Sequence, residues 1–171
     1  MVSGVFGGVG KAANKKVMDS EVEVELRQAG WFPNRRVSDE QVNEWLRMGV
    51  RNLGCRIFPE AVRVLREYGG LTFGDLHFTP AESEERGDHF QWLYWEWRTK
   101  EVLFPIGYEL GGVFTFALST SGKIYGSGTA EIFCGDSFEE FLANLVAHRK
   151  GRINWIENTP LILQPQLGHE Y

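Results

Sequence analysis

Cysteine is scarce in this 171-residue chain, which contains only Cys55 and Cys134. The two cysteines lie far apart and form no C-x-x-C pair, so the sequence indicates neither a disulfide framework nor a zinc site. The chain also lacks an apolar run of membrane-spanning length and an opening segment of the signal-peptide type. These absences predict a reduced, cytoplasmic protein that does not associate with membranes.

Basic residues are sparse after residue 18. The whole chain has a net charge of −5. Residues 1–18 contain three lysines and no acid, which leaves 15 basic against 23 acidic residues, a charge of −8, in the remainder. A surplus of carboxylates disfavours direct binding of nucleic acid, because phosphates require Lys and Arg. The same surplus is compatible with a basic protein partner.

Residue patterns typical of catalysis are also missing from the sequence. His77 and His89 lie near Asp75 and Asp88, but their spacing matches no known metal-binding motif. Cys134 falls on a predicted strand, where a small core residue is the expected role. The sequence therefore predicts a protein without enzymatic activity, with no catalytic residue, no metal and no cofactor.

Arginines are concentrated between residues 35 and 66, where they could suggest a nucleic-acid site. Acidic residues alternate with them throughout this stretch. Glu60 and Glu67 lie three and four residues from Arg63, which is the spacing of ion pairs on one helix. The stretch is therefore predicted to be a solvated, salt-bridged face.

Three helices are predicted in the first half of the chain. The first begins at Asp19 and ends at Gly30, and the second is capped by Ser38. The third begins at Pro59 and ends at Gly69-Gly70, with Gly69 expected in the left-handed conformation. The apolar stripe of the second helix follows helical spacing and comprises Val42, Trp45, Leu46, Gly49, Val50 and Leu53.

Strand patterns dominate the second half. Residues 71–73 and 76–79 open the series, and residues 90–98 form the most apolar strand candidate. Glycine-punctuated segments after Phe104 then predict an antiparallel meander. A last helix follows a cap at Asp136 or Ser137, and its apolar face comprises Phe138, Phe141, Leu142, Leu145 and Val146.

These elements predict a single α+β domain over residues 19–151. It has N-terminal helices, a central antiparallel sheet and a C-terminal helix packed on the sheet. Residues 1–18 are expected to be a flexible arm. Residues 152–171 are expected to be an extended apolar tail docked on the domain.

Five motifs, in this order, carry a resemblance to a known family: Ala29-Gly-Trp-Phe-Pro-Asn-Arg-Arg-Val, Glu67-Tyr-Gly-Gly-Leu, Phe104-Pro-Ile-Gly, Gly122-Lys-Ile-Tyr and Gly135-Asp-Ser-Phe-Glu-Glu-Phe-Leu. They resemble the third subfamily of the SUKH superfamily, bacterial immunity proteins of polymorphic toxin systems. The resemblance runs from about residue 29 to residue 149. It implies an α+β fold, cytoplasmic residence and no catalytic activity.

The resemblance also implies a partner, a toxin held in a tight neutralising complex. The toxins of this superfamily are often nucleases or nucleic-acid deaminases. The alternative is a regulatory protein-interaction scaffold without a toxin, because eukaryotic members of the superfamily look like such modules. A toxin gene immediately upstream would distinguish the two.

Two acid-rich segments are the first candidates for the partner-binding surface. Carboxylates can mimic phosphates and steer a basic cleft onto the protein. The loop of residues 80–89 supplies Glu82, Glu84, Glu85 and Asp88. The second segment, where no Lys or Arg occurs between Lys123 and Arg149, supplies Glu131, Asp136, Glu139 and Glu140. For Glu139 and Glu140, helix capping is the alternative role.

The predicted strand of residues 90–98 is the third candidate. Alternation would place Trp92 and Tyr94 on one face and Leu93, Trp95 and Trp97 on the other. Two apolar faces indicate either a central strand covered on both sides or a strand with one face open to a partner. Trp92 and Tyr94 are therefore candidate partner-binding residues.

Overall fold

The computed structural model describes residues 18–80, 89–109, 111, 114–128 and 130–158. Its helices are α1 Ser20–Gln28, α2 Asp39–Leu53, α3 Pro59–Tyr68, α4 His89–Thr99, α5 Phe138–Arg149 and α6 Trp155–Asn158. Its strands are β1 Thr72–Phe73, β2 Leu76–His77, β3 Leu103–Glu109, β4 Thr115–Ser119, β5 Ile124–Ser127 and β6 Glu131–Gly135. The predicted α+β architecture is confirmed.

The strands form one sheet in the order of the chain, from β1 to β6. Every neighbouring pair is antiparallel, so the predicted meander is confirmed. Residues 103–108 of β3 are all buried, which indicates a central strand covered on both faces. Helix α5 packs against β6, and α3 contacts β3.

Local sequence signals explain where three helices begin. The Asp19 carboxylate accepts a hydrogen bond from the Glu21 amide at 2.8 Å. The hydroxyls of Ser38 and Ser137 accept bonds from amides three residues later, both at 3.2 Å. Each cap satisfies an amide that the first turn leaves without a helical partner. The predicted N-termini are thus confirmed, with Ser137 rather than Asp136 as the cap of α5.

Aromatic side chains fill the core between the helices and the sheet. The rings of Tyr68 and Phe138 lie 4.7 Å apart, and those of Phe78 and Phe138 lie 5.7 Å apart. Further along the sheet, Phe116 packs against Phe141 at 5.2 Å. Cys134 is buried as predicted. Most of the aromatic residues named by the helix and strand patterns therefore stabilise the fold by burial.

The prediction of a strand over residues 90–98 is wrong, because this segment is helix α4. Trp92 and Trp95 are buried, whereas Tyr94 and Trp97 are exposed. Residues three apart thus share a face, which is the helical period rather than the alternation of a strand. Trp92 and Tyr94 accordingly lie on different faces, contrary to the prediction.

The left-handed glycine after α3 is Gly70 rather than Gly69. Gly69 has φ −53° and ψ 138°, whereas Gly70 has φ +78°. The Gly70 amide donates to the Phe78 carbonyl oxygen at 2.7 Å, so the chain turns toward the sheet at that residue. Gly69 meets a different requirement, because a Cβ there would collide with the Trp45 ring and the Leu65 carbonyl oxygen.

Two smaller expectations also differ from the structure. Val50 belongs to the predicted apolar stripe of α2, but its side chain is exposed. Residues Trp155–Asn158 form the short helix α6 instead of an extended segment. Residues 1–17 of the predicted arm and residues 159–171 of the predicted tail lie outside the described residues.

Candidate protein-binding surface

Helix α4 is held in place by its inward face. The buried rings of Trp92 and Trp95 meet edge to face at 5.3 Å. Glu96 accepts a hydrogen bond from the Leu103 amide at 2.9 Å, which ties the helix to β3. Helix α2 also contacts α4. These contacts give the outward side chains of α4 a rigid support, which lowers the entropic cost of binding a partner.

The outward face of α4 is rich in apolar surface. Leu93, Tyr94 and Trp97 are 47%, 50% and 63% exposed. The Tyr94 and Trp97 rings lie 5.8 Å apart. The Lys100 ammonium lies 4.4 Å from the centre of the Trp97 ring, and the Arg98 guanidinium lies 5.8 Å from that of Tyr94. We call these five residues the α4 aromatic face.

Clustered exposed apolar side chains are typical of interaction surfaces. Trp, Tyr and Arg are the residue types that most often dominate the binding energy of protein interfaces. Sequence alternation missed this face because it assigned Leu93 and Trp97 to the side opposite Tyr94. The signal that could have found it is the three-residue spacing of Trp92 and Trp95.

The first acid-rich segment, with Glu82, Glu84, Glu85 and Asp88, lies outside the described residues. The acids of the second segment lie in two different parts of the fold, Glu131 beside α4 and the others at the start of α5. Glu131 lies 3.5 Å from Arg98, and both side chains are mostly buried. Burial raises the pKa of Glu131, and the nearby Arg98 guanidinium opposes this shift. Because Arg98 also donates to the Tyr94 hydroxyl at 3.2 Å, Glu131 is linked to the α4 aromatic face.

The remaining acids of the second segment belong to the start of α5. The Glu139 carboxylate lies 3.3 Å from the Arg63 guanidinium of α3. Glu140 accepts a bond from the Asp136 amide at 3.0 Å, and its own amide donates to Ser137. This arrangement is similar to a capping box. It differs in that the Glu140 carboxylate accepts from the amide of Asp136 instead of the amide of the cap residue Ser137. Asp136 is exposed, whereas the charge of Glu139 is balanced within the fold.

The arginine-rich stretch is a salt-bridged face, as predicted. Arg63 contacts Glu60 at 2.6 Å and Glu67 at 3.5 Å. The hydrogen bond that Arg63 donates to the Glu60 carboxylate raises the pKa of Arg63. Asp39 contacts both Arg36, at 3.2 Å, and Arg66, at 3.0 Å. Hydrogen bonding to Arg36 lowers the pKa of Asp39. The charges of Arg36, Arg63 and Arg66 are thus compensated, which disfavours phosphate binding at these residues.

Two of the sequence motifs contact each other and support the fold. The Trp31 indole donates to the Glu67 carboxylate at 3.2 Å, and its ring stacks on Tyr68 at 6.4 Å. The Arg35 guanidinium donates to the carbonyl oxygens of Glu67, at 2.6 Å, and Gly69, at 2.9 Å. These contacts hold the loop before α2 against the end of α3. The motifs therefore have a clear structural role.

Reactive side chains of the described region do not form a recognisable chemical site. Burial raises the pKa of both Cys55 and Cys134, so each thiol stays protonated at neutral pH. Within the described ranges, His, Cys, Asp and Glu form no cluster of three or more suited to a metal ion. No helix there is long and apolar enough to span a bilayer.

Comparison with known proteins identifies a family. A family model described as SUKH-3 immunity protein matches residues 18–148, most of the chain. The matched region extends from the residue before the α1 cap to the last turn of α5. No curated protein and no solved structure was found to match.

Proposed function

The chain belongs to the SUKH-3 family of immunity proteins, and we propose that it binds a cognate bacterial toxin and neutralises it by occlusion. The family implies a toxin partner. Occlusion requires a rigid surface rather than a reactive group, and the α4 aromatic face offers one.

The proposed toxin is an enzyme that processes nucleic acid, either a nuclease or a deaminase. Such enzymes need basic clefts to bind phosphates. The charge of −8 outside residues 1–18 supports a complex with a basic partner. The protein would then bind the enzyme without binding its nucleic acid, in the cytoplasm.

The observation that carries the proposed surface is the exposure of Tyr94 and Trp97 on a helix anchored by Trp92 and Trp95. The acid-rich residues 82–88 immediately precede α4 in the sequence. Specific protein interfaces combine an apolar core with a polar rim. In the proposed complex the acids of residues 82–88 accelerate encounter, whereas the aromatic side chains of α4 slow dissociation.

The other candidate residues have distinct proposed roles. Trp92 supports the α4 aromatic face from below, and Glu131 holds Arg98 beside Tyr94. Asp136, Glu139 and Glu140 form a second candidate patch at the start of α5. Because Glu139 and Glu140 already have partners in the fold, we assign this patch a smaller role in binding.

The test is co-expression with the toxin encoded beside the gene. A stable complex that suppresses the toxin's activity on nucleic acid is expected, and its affinity can be measured by titration calorimetry. A protein that neither binds nor inhibits that toxin would instead be a regulatory interaction scaffold, and the proposal would be rejected.

Reversing the charges of one acid-rich segment at a time tests the contribution of each segment to the association rate. Changing Glu82, Glu84, Glu85 and Asp88 together to Lys should lower the association rate at low salt by about tenfold and remove much of its salt dependence. The midpoint of thermal unfolding serves as the control for folding. An association rate equal to that of the wild type would exclude steering by residues 82–88.

The matched variant reverses Glu131, Glu139 and Glu140. Its main effect should be on stability. The new lysines would lie beside Arg98 and Arg63 and repel them, and the hydrogen bond of Glu140 at the start of α5 would be lost. A lowered melting midpoint with an association rate near that of the wild type is expected. The opposite result, an intact fold with slow association, would move the steering surface to this segment.

A further inference from the structure

A surface pocket of about 140 Å³ lies among the β1–β2 turn, the sheet and the end of α5. None of its residues belongs to the α4 aromatic face. Its apolar wall is formed by Phe73, Leu76, Phe114, Phe116, Ile132, Leu145 and Trp155. Its polar lining residues, called the polar rim below, are Asp75, Glu109, His148, Arg149 and Asn154.

Aromatic rings make up much of the wall. Phe116 lies 6.3 Å from Phe114 and 5.8 Å from Trp155, measured between ring centres. The His148 ring lies 5.2 Å from that of Trp155 and so extends the aromatic surface to the rim. The faces of such rings attract cations, and this attraction grows when the cation is desolvated.

Two carboxylates share the rim. Glu109 pairs with Leu76 across β2 and β3, and Asp75 is the residue just before Leu76 in the turn. Burial raises the pKa of Glu109, the negative charge of Asp75 raises it further, and His148 opposes both effects. A carboxylate whose ionisation is disfavoured by burial and by a neighbouring negative charge is stabilised in its charged form when a cation binds beside it.

One cation, Arg149, lines the pocket, whereas its neighbours Lys150 and Arg152 are not lining residues. Arg149 contacts Glu25 of α1, and its guanidinium lies 4.8 Å from the centre of the Phe73 ring. Lys150 and Arg152 both contact Glu21. The lining itself holds two carboxylates, Asp75 and Glu109, and one guanidinium, that of Arg149, which is paired with Glu25. The pocket therefore retains negative charge for a ligand.

We propose that this pocket binds a guanidinium group, supplied by an arginine side chain of the toxin. Its volume is close to that of an engineered cavity of about 150 Å³ that holds benzene, so a planar group of similar size fits. Guanidinium stacks on aromatic faces and bonds carboxylates through a planar fork, which an ammonium cannot do. The assignment of the arginine to the toxin rests on the proposed function.

The pocket can be tested without the toxin. The indole and amide NMR signals of the full chain are followed while N-acetyl-arginine methylamide is added, with the uncharged citrulline analogue as the matched probe. The Trp155 indole signal should shift with the arginine probe only. Glu109→Gln and Asp75→Asn should each weaken this binding at least fivefold, whereas Glu40→Gln on α2 should not. Equal responses to both probes would overturn the proposal.

The toxin complex then tests the source of the arginine. Glu109→Gln should weaken toxin affinity about tenfold, with Glu40→Gln again as the control. Unchanged toxin affinity would overturn the assignment of the arginine to the toxin, although the proposed function would stand. If the wild type fails to bind the toxin, the proposed function fails, and the probe titration still decides whether the pocket accepts guanidinium.

The chain's own C-terminal segment is the competing occupant. Changing Leu161 and Leu163 to serine removes its apolar side chains and leaves the chain at full length. The Trp155 indole signal should be unaffected by these changes. A shift of that signal, together with a failure of the wild type to bind the arginine probe, would show that the segment fills the pocket and would overturn the proposal.

Discussion

Replacing Trp97 with alanine is expected to weaken toxin binding about thirtyfold. Trp97 is the most exposed large apolar side chain of the described region, and it lies between Tyr94 and Lys100 on a rigid helix. Truncation of a tryptophan at the centre of an interface costs about 2 kcal/mol or more. Because about 1.4 kcal/mol corresponds to a factor of ten, the expected change in Kd follows directly. Titration calorimetry with the cognate toxin measures it.

The free energy of unfolding of the free protein should fall by at most about 1.5 kcal/mol. Exposed substitutions usually alter the free energy of unfolding by at most about 0.5 kcal/mol. The contact with Lys100 adds a cation–π attraction of about 0.5–1 kcal/mol at an exposed site. A fall in melting midpoint of no more than about 6 °C would therefore show that the variant remains folded and that the loss of affinity arises at the interface.

Phe32→Ala is the matched control. Phe32 is also aromatic and is 55% exposed, but it belongs to the loop before α2. Its truncation should leave Kd within about twofold, because peripheral side chains contribute little. If Phe32→Ala weakens binding and Trp97→Ala does not, the toxin contacts the loop before α2 instead of α4.

The extent to which sequence predicts this fold depends on how local each signal is. The caps at Asp19, Ser38 and Ser137 were identified correctly because a cap involves residues only two or three positions apart. The meander was also predictable, since glycines mark its turns. Helix α4 was misassigned because Trp, Tyr and Phe are strong strand formers, and packing against the rest of the fold outweighed this preference.

The candidate surface was harder to predict than the fold. Counting charges found the acids near residue 136, but it could not show that Glu139 faces Arg63, which is 76 residues away. Helix-spaced pairs such as Glu60 and Arg63 were predictable because their partners lie on one helix. Long-range pairing decides whether a carboxylate is available to a partner, and one sequence does not contain that information.

The five motifs and the proposed interface occupy different parts of the chain. The motifs include Trp31 and Arg35, which clip the loop before α2 to α3, but they include neither Tyr94 nor Trp97. Recognition of the family therefore identifies the scaffold and the kind of partner. The surface that contacts the partner has to be inferred from exposure and packing.

Gly69→Val is expected to lower the free energy of unfolding by about 3 kcal/mol, mainly through overpacking. A Cβ at residue 69 would collide with the Trp45 ring of α2 and with the Leu65 carbonyl oxygen. Trp45 is largely buried, so it has little room to move aside. For a chain of this length, the loss corresponds to a fall in melting midpoint of about 10 °C, which thermal unfolding followed by circular dichroism can measure.

Replacing Gly69 and Gly70, one at a time, with asparagine distinguishes side-chain crowding from backbone strain. Asn tolerates the left-handed conformation, so Gly70→Asn should cost less than about 1 kcal/mol. A Cβ at Gly70 would meet only the Trp45 ring, at an ordinary distance of 3.6 Å. Gly69→Asn should be nearly as harmful as Gly69→Val, because the collision begins at the Cβ that both side chains share. If Asn is instead tolerated at residue 69 and harmful at residue 70, the left-handed turn lies one residue earlier and the crowding explanation is wrong.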